Sequence, residues 1–353
     1  MQSTADRISG CLNQGGFLIF MKGPHCDDEI SAMAKDSYTL RLDKHYTLPD
    51  STDHRRLVVF ERLSKQTAGR PLRPYNDVAE DLDRVQPVTS AENVRFKSLK
   101  KIMTQGSKAV TKEGRTLIYG RRIVEEVLDQ SIEMVEAVIV SQQQVNKGRY
   151  ELCHHDLPVL SLSTPLISEL GLSSFEPPYL ICKVPAIEPW PSDQPLDKPT
   201  LFLPLGDPEN LGSALRSALA FKFHRIVLLS EATSPFLPAT IRASSAASLS
   251  PLFRYCKGPS LQQLANQLPE NDFYYLDRGG HPLKQLKRPQ RPFGLIVGEE
   301  GRGIPQSMKD SASHANLIPV GIEISNDTDS LNAAVSLALC LHHLSDFGDE
   351  KTS

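Results

Sequence analysis

From Thr200 onward, short apolar runs recur between stretches of helical period. "TLFLPL", "RIVLL", "FYYL", "FGLIV" and "NLIPV" have the length and the β-branched or aromatic content of buried strands. The stretch after Asn210 and the long apolar run from Leu331 read as helices, with "FLPATIRASSAA" between strands. This alternation predicts a parallel sheet covered on both faces, a design that binds ligands at the carboxyl ends of its strands. Upstream, "NVRFKSLKKIM" places Val94, Leu99 and Met103 near one helical stripe. "RTLIYG" then reads as a strand, "RRIVEEVL" as a helix and "AVIVS" as a strand. Residues 89–190 are therefore expected to form a compact α/β unit, ended by the proline-rich joint "AIEPWPSDQPLDKP". Residues 63–88 mix Pro, Gly and charge without apolar period and read as a linker. Residues 1–62 hold "GGFLIFMKG", a buried-strand pattern, and two further strands in "YTLRLDKHYTLP" and "RRLVVFER". That segment is too small for a good core of its own, so it is expected to dock on the rest or stay partly disordered.

Composition narrows the class. With 353 residues, 40% hydrophobic and 23% charged, the chain reads as an ordinary globular protein of more than one domain. Its longest apolar runs are too short to span a bilayer and its first residues carry no secretory pattern, so no membrane is expected. The 6 cysteines are scattered without a CxxC pair, which fits reduced thiols and a cytoplasmic location. "CHHD" (Cys153 to Asp156) has no second ligand pair, so no metal is expected. A net charge of -3 does not advertise a nucleic-acid binder, but its distribution does. Between residues 85 and 122, Arg95, Lys97, Lys100, Lys101, Lys108, Lys112, Arg115, Arg121 and Arg122 face only Glu92 and Glu113. This is either a phosphate-binding footprint or a solvated helix face.

Three loops follow strand ends with unusual chemistry. In "GDPENLGSALRSALAF", Asp207, Pro208 and Asn210 turn the chain and cap a helix, and Gly212 admits another backbone or a ligand. Arg216 falls off the stripe of Leu211, Leu215 and Leu219, so it is either a surface arginine or one pointing into a cleft. In "GEEGRG", Gly298, Gly301 and Gly303 let backbone amides approach a ligand, and Glu300 adds a carboxylate. A dinucleotide fingerprint would follow the first strand of its domain and precede a ribose-binding acid, whereas here Pro305 follows at once. In "DTDSLNAAVSLALCL", Ser330 reads as an N-cap, Asp327 and Asp329 suit the positive helix end, and Asn332 enters the first turn. A helix this apolar all round is expected to be buried, in the core or against another subunit.

Taken in order, "DPENLGSALRSALAF", "LIVGEEGRGIP" and "IPVGIEISNDTDSLNAAVSLAL" resemble the three signature motifs of the SpoU/TrmH-type RNA 2′-O-ribose methyltransferases of the SPOUT superfamily. "VTSAENVRFKSLKK" with "GRTLIYGRRIVEEVL" is similar to the α/β substrate-binding domain that precedes many of these enzymes. "FMKGPHCDDEI" resembles the C-terminal strands of a class I methyltransferase of the glucose-inhibited division protein B family, without that family's glycine-rich cofactor loop. Residues 1–62 are then expected to be a remnant and not a second active site.

The resemblance implies an α/β parallel-sheet SPOUT domain over residues 198–345, closed by a C-terminal trefoil knot and preceded by a small α/β substrate-binding domain. It implies S-adenosylmethionine as cofactor, tRNA or rRNA as substrate, and a homodimer. Carried over by position, Asn210, Arg216, Glu300 and Asn332 act at the target ribose. Gly298, Glu300, Gly301, Gly303, Ile318, Ser330, Leu331 and Asn332 surround the cofactor, and Arg95, Lys97, Lys100, Lys101, Arg121 and Arg122 grip RNA. One departure is the longer interval between Pro319 and Ser330, filled by "ISNDT", which leaves the role of the residues within it open. Arg216 is expected to hold RNA phosphate and polarise the hydroxyl; whether it also accepts the proton stays open. The rivals are a silent RNA-binding protein on the same scaffold and a nicotinamide-dependent oxidoreductase.

Overall fold

Alternation of apolar and polar residues in the first segment yields strands with one wet face. The computed structural model describes residues 17–23, 25–33, 37–47, 54–62, 85–146, 157–299, 301–310, 316–325 and 330–345. The chain divides into two units, Met1–Arg73 and Pro74–Ser353. In the first unit, β1 (Phe17–Lys22), α1 (Asp27–Ser31), β2 (Tyr38–Thr47) and β3 (His54–Arg62) build a 3-stranded antiparallel sheet in the order β1-β3-β2. Its core is small: Leu18, Cys26, Met33, Tyr38, Val58 and Phe60. β1 is not the buried strand that its composition predicts. Phe17, Ile19 and Met21 are exposed while Leu18 is buried, the period-2 signature of a sheet covered on one face.

In the second unit, β4 (Val85–Val88), α2 (Val94–Gln105), α3 (Ser107–Glu113), β5 (Arg115–Ile118), α4 (Arg121–Gln130), β6 (Val135–Ser141), α5 (Gln142–Asn146), β7 (Val159–Leu162), α6 (Thr164–Glu169) and β8 (Tyr179–Lys183) come first. They form a 5-stranded mixed sheet, β4-β7-β6-β8-β5. Val85–Val88, read from sequence as the end of the linker, is thus a strand paired in parallel with β7. The stripe on α2 also differs: Phe96, Leu99 and Ile102 are buried, whereas Val94 is 83% exposed. Asn93 caps the helix, accepting from Arg95 N and Phe96 N, which puts Val94 in the solvent-facing first turn.

The chain continues through β9 (Glu188–Pro189), β10 (Thr200–Leu203), α7 (Pro208–Ala220), β11 (Arg225–Leu228), α8 (Pro238–Ala243), β12 (Arg254–Lys257), α9 (Leu261–Leu264), β13 (Asp272–Pro282), β14 (Phe293–Ile296), α10 (Gln306–Asp310), β15 (Asn316–Gly321) and α11 (Ala333–Leu344). Every pair in the resulting 7-stranded sheet is parallel, in the order β15-β13-β14-β10-β11-β12-β9. Alternate residues of β10 serve opposite cores. Leu201 and Leu203 pack with α7 and α11, and Phe202 packs with Leu261, Leu264 and Met308 on the other face. β12 ("RYCK") and β9 lack an apolar run, which is why the strand pattern passes over them.

β13 meets β15 twice, over Asp272–Leu276 and again at His281 and Pro282. At the register shift between them the backbones pass so close that a Cβ on Gly280 would sit 2.5 Å from Val320 N, and one on Gly321 would sit 2.9 Å from Gly280 O. Glycine is required where backbones approach this closely.

Candidate functional site

The site is assembled from loops at the carboxyl ends of the central strands. After β10, Asp207 caps α7 by accepting from Glu209 N and Asn210 N, both at 2.9 Å, with Pro208 in the first turn. Gly212 serves packing and not a ligand: a Cβ there would meet Ala243 Cβ at 2.6 Å and Thr240 O at 2.8 Å, both on α8.

After β14, Glu299 and Gly303 close a tight antiparallel bridge, each N–H donating to the other's carbonyl at 3.1 and 2.8 Å. The three glycines divide the work. A Cβ on Gly298 would strike the Gly303 carbonyl carbon at 2.7 Å, so its bareness lets the loop fold on itself. Gly301 (φ 75) and Gly303 (φ 68) adopt left-handed backbone and face open space. Glu300 lies outside the described residues.

The third loop corrects the sequence reading of the last helix. Its N-cap is Asn332 and not Ser330: Asn332 Oδ1 accepts from Ala334 N at 2.9 Å and Val335 N at 3.3 Å. The same amide donates through Nδ2 to Asn210 Oδ1 at 2.7 Å. One side chain therefore starts α11 and ties it to the first turn of α7. The helix is not apolar-buried all round either, since Val335 and Leu339 are 49% and 44% exposed and form a strip one turn apart.

These loops enclose a cleft of about 520 Å³. Gly298, Gly301, Gly303, Ser330, Leu331 and Asn332, six of the residues that the motifs single out, line it. Leu276, Asp277, Arg278, Ile322, Ile324 and Ser336 line it as well, and sequence reasoning missed them. Asp277 and Arg278 directly follow the apolar run "FYYL", where the pairing of β13 with β15 is interrupted, so their place at the end of that run was an available signal. Ile322 and Ile324 come from the unusually long third loop, whose role the motif comparison left open.

Asp277 is paired with Lys309, whose hydrogen bond holds the carboxyl below its usual range and raises the ammonium in return. Two expected residues stand apart. Ile318 packs against the apolar core and does not line the cleft. Arg216 is exposed, lies outside the cleft lining and makes no ion pair with any described residue. It shares a helix face with Glu209, two turns earlier, which is paired with Arg242 at 3.3 Å.

The basic run of the 5-stranded domain is partly neutralised. Lys97 pairs with Glu92, Lys100 with Glu169 and Arg121 with Glu125, while Arg95 donates to Gln86. Lys101 and Arg122 are exposed without an ion pair to the described residues. Among the described residues no cluster of His, Cys, Asp and Glu could hold a metal, and no helix is long and apolar enough to cross a membrane. Cys153 to Asp156 lie outside the described residues.

Residues 201–342 match the SpoU rRNA Methylase family. Over 352 residues the chain is 32% identical to "Ribosomal RNA small subunit methyltransferase G 2" of Syntrophobacter fumaroxidans, covering 99% of this chain and 66% of that protein. The chain thus spans just under two thirds of that relative's length. Over 241 residues it is 26% identical to the 23S rRNA (guanosine-2'-O-)-methyltransferase RlmB of Salmonella typhimurium, covering 64% of this chain and 96% of that one. The AdoMet-bound rRNA methyltransferase of Sinorhizobium meliloti shares the fold, with a TM-score of 0.57 at 20% identity over 74% of this chain and 97% of that one.

Proposed function

We propose that the chain, whose residues 201–342 match the SpoU rRNA Methylase family, is an S-adenosylmethionine-dependent RNA methyltransferase acting on a ribose 2′-hydroxyl, with ribosomal RNA as its substrate class. The observation that carries this reading is the Asn332 to Asn210 hydrogen bond, which sets a polar corner on the rim of a glycine-lined cleft. The cleft suits the cofactor. Leu276, Val297, Ile322 and Ile324 offer apolar walls for a purine, Gly301 and Gly303 leave open space beside bare backbone, and Glu299, Ser330 and Asn332 offer polar contacts. When bound there, the cofactor supplies a methyl group on a sulfonium sulfur.

The protein's part is to orient the ribose and ease removal of its proton, since a neutral hydroxyl is a poor nucleophile. Asn210, Asn332 and Glu300 are assigned to the ribose. Arg216 is assigned to the RNA phosphate and the hydroxyl, its planar fork suiting both. Its position off the protomer's own cleft fits a homodimer in which Arg216 serves the partner's cleft, with the Val335 and Leu339 strip in the interface. The second and third loops, which follow β14 and β15, are assigned to a C-terminal trefoil knot. Cys182 and Cys340 are buried with thiols pushed up to about 12, which suits reduced, unreactive cysteines in a cytoplasmic protein.

Two results test the proposal. The wild-type chain should transfer labelled methyl from S-adenosylmethionine to a ribose in ribosomal RNA; a chain that binds cofactor and transfers nothing is the silent RNA-binding rival. Mixing Arg216→Ala with Asn332→Ala protomers should restore part of the activity each lacks alone. Failure of the mixture while each variant still dimerises would return Arg216 to its own protomer.

A further inference from the structure

A second cleft, of about 440 Å³, opens at the amino-terminal ends of the same parallel strands. Buried Phe223 and Leu344 contribute to its floor, and Lys198, Lys222, Arg225, Arg254 and Arg288 to its rim. Among the described residues no aspartate or glutamate lines it. In a chain with 39 Lys and Arg against 42 Asp and Glu, that segregation does not follow from composition.

The sheet itself creates the concentration of charge. Arg225 and Arg254 begin adjacent parallel strands in one register row, so their backbones lie only about 4.8 Å apart. Like charges placed side by side on a sheet destabilise it unless something negative lies between them. Asp197 accepts from Arg225 at 3.0 Å. Arg254 is instead steered by neutral groups, donating to the carbonyls of Pro251 and Phe253 at 2.7 and 3.1 Å. It is held in place with its charge intact. In the 5-stranded domain, by contrast, Lys97, Lys100 and Arg121 each have a glutamate partner.

We infer that this cleft is a second RNA-backbone site, holding phosphates of the substrate across the sheet from the methyl-transfer cleft. The inference rests on the RNA reading above. Its cations come from separate segments of the chain, the starts of two neighbouring strands and the stretches around Lys198, Lys222 and Arg288, an arrangement that suits an extended polyanion. Between them Phe221 and the 56% exposed Leu252 provide apolar surface on which a base can rest. A single RNA gripped at both ends of the parallel strands would be held in a fixed orientation relative to the ribose it presents.

The test uses the full chain and fluorescein-labelled poly(U). In Lys198→Gln/Arg254→Gln, RNA affinity should fall several-fold, and the slope of log affinity against log salt should become shallower by about 1.4, the expectation for two lost single-strand phosphate contacts. Affinity for S-adenosylmethionine, titrated by calorimetry, should not change. An unchanged slope in a folded variant overturns the inference. So does inorganic phosphate binding that the variant loses while its RNA affinity equals wild type, because that marks a pocket for a small anion only. If the double variant unfolds, Lys198→Glu at an exposed position gives the same readout. A wild-type chain that binds RNA but transfers no methyl would sink the methyltransferase reading alone, since the salt slope needs no turnover.

Discussion

Arg216 protrudes from α7 with no ion-pair partner among the described residues, so its removal separates a chemical role from a structural one. Arg216→Ala should change stability by no more than about 0.5 kcal/mol, as at other exposed positions. In single-turnover methyl transfer at saturating cofactor it should lose roughly two to four decades, the scale for an acid-base or electrostatic partner. Arg216→Lys should recover only part of that, because an ammonium lacks the planar fork. Near-normal rates in the alanine variant would defeat the assignment. Lys222 offers a test of a different kind. It ends α7 in left-handed backbone (φ 65), where Phe223 N reaches back to Ala218 O at 2.8 Å. Glycine is the residue that geometry favours, so Lys222→Gly should raise stability by about 1 kcal/mol in urea unfolding. Because Lys222 also stands on the cationic rim, the same variant should bind RNA more weakly. A stabilised protein with a poorer ligand grip would mean that strained backbone was kept there for its charge.

At the scale of elements, the sequence is most legible where local chemistry alone decides. Asp207 followed by Pro208 announces the start of α7, and the structure has both in those roles. Ser330 and Asn332 are both good N-caps two positions apart, and what selects Asn332 is its partner Asn210, distant in sequence. Arg216 could be placed off the apolar stripe of α7, but no period encodes what an exposed side chain there meets. β12 reads Arg-Tyr-Cys-Lys and becomes a strand because β11 and β9 flank it, a tertiary effect that outweighs propensity. The ion pair of Asp277 and Lys309 joins β13 to α10 beside the glycine-lined cleft, and its pH behaviour follows from two signs. Asp277 is depressed, so its contribution is present above the unfolded value of about 3.9 and is lost as pH falls through the lower folded value. Lys309 is raised, so its contribution is present below about 10.4 and is lost as pH rises through the higher folded value. The stability difference between wild type and Asp277→Asn should therefore be flat from about pH 5 to 9 and shrink below about pH 4. Thermal unfolding across that range checks it, and a difference that changes through neutrality would implicate another group.

For the whole molecule, the decisive features lie where the sequence reads as a proline-rich joint between domains. The proline-rich joint contributes β9 to the edge of the 7-stranded sheet, Trp190 N donates to Lys257 O at 2.8 Å, and the Trp190 ring meets Phe202 at 5.1 Å. The two sheets of the second unit also share a core. Ile102, Val110, Ile118, Val127 and Val138 from one side pack with Phe236, Leu237, Ile241 and Leu249 from the other. Buried Thr116 donates its hydroxyl to Phe236 O at 2.7 Å, and Ser107 Oγ accepts from Ser234 N at 2.8 Å. A substrate-binding domain on a loose tether would unfold separately from the methyltransferase domain, whereas one sharing a core should melt with it. Deleting residues 1–62 should leave this behaviour and the calorimetric cofactor affinity intact, since the residues lining the cleft fall between Leu276 and Ser336. Phe236 is the sharpest probe, being 3% exposed between the two sheets and stacked edge-on against Tyr255. Phe236→Ala should cost about 3–5 kcal/mol, the range for emptying a buried phenylalanine site. The loss should appear as one shifted transition, followed alike by hydrogen exchange in β6 and in β10. If exchange in β6 accelerates while β10 keeps its protection, the two sheets are independent and the 5-stranded domain unfolds by itself.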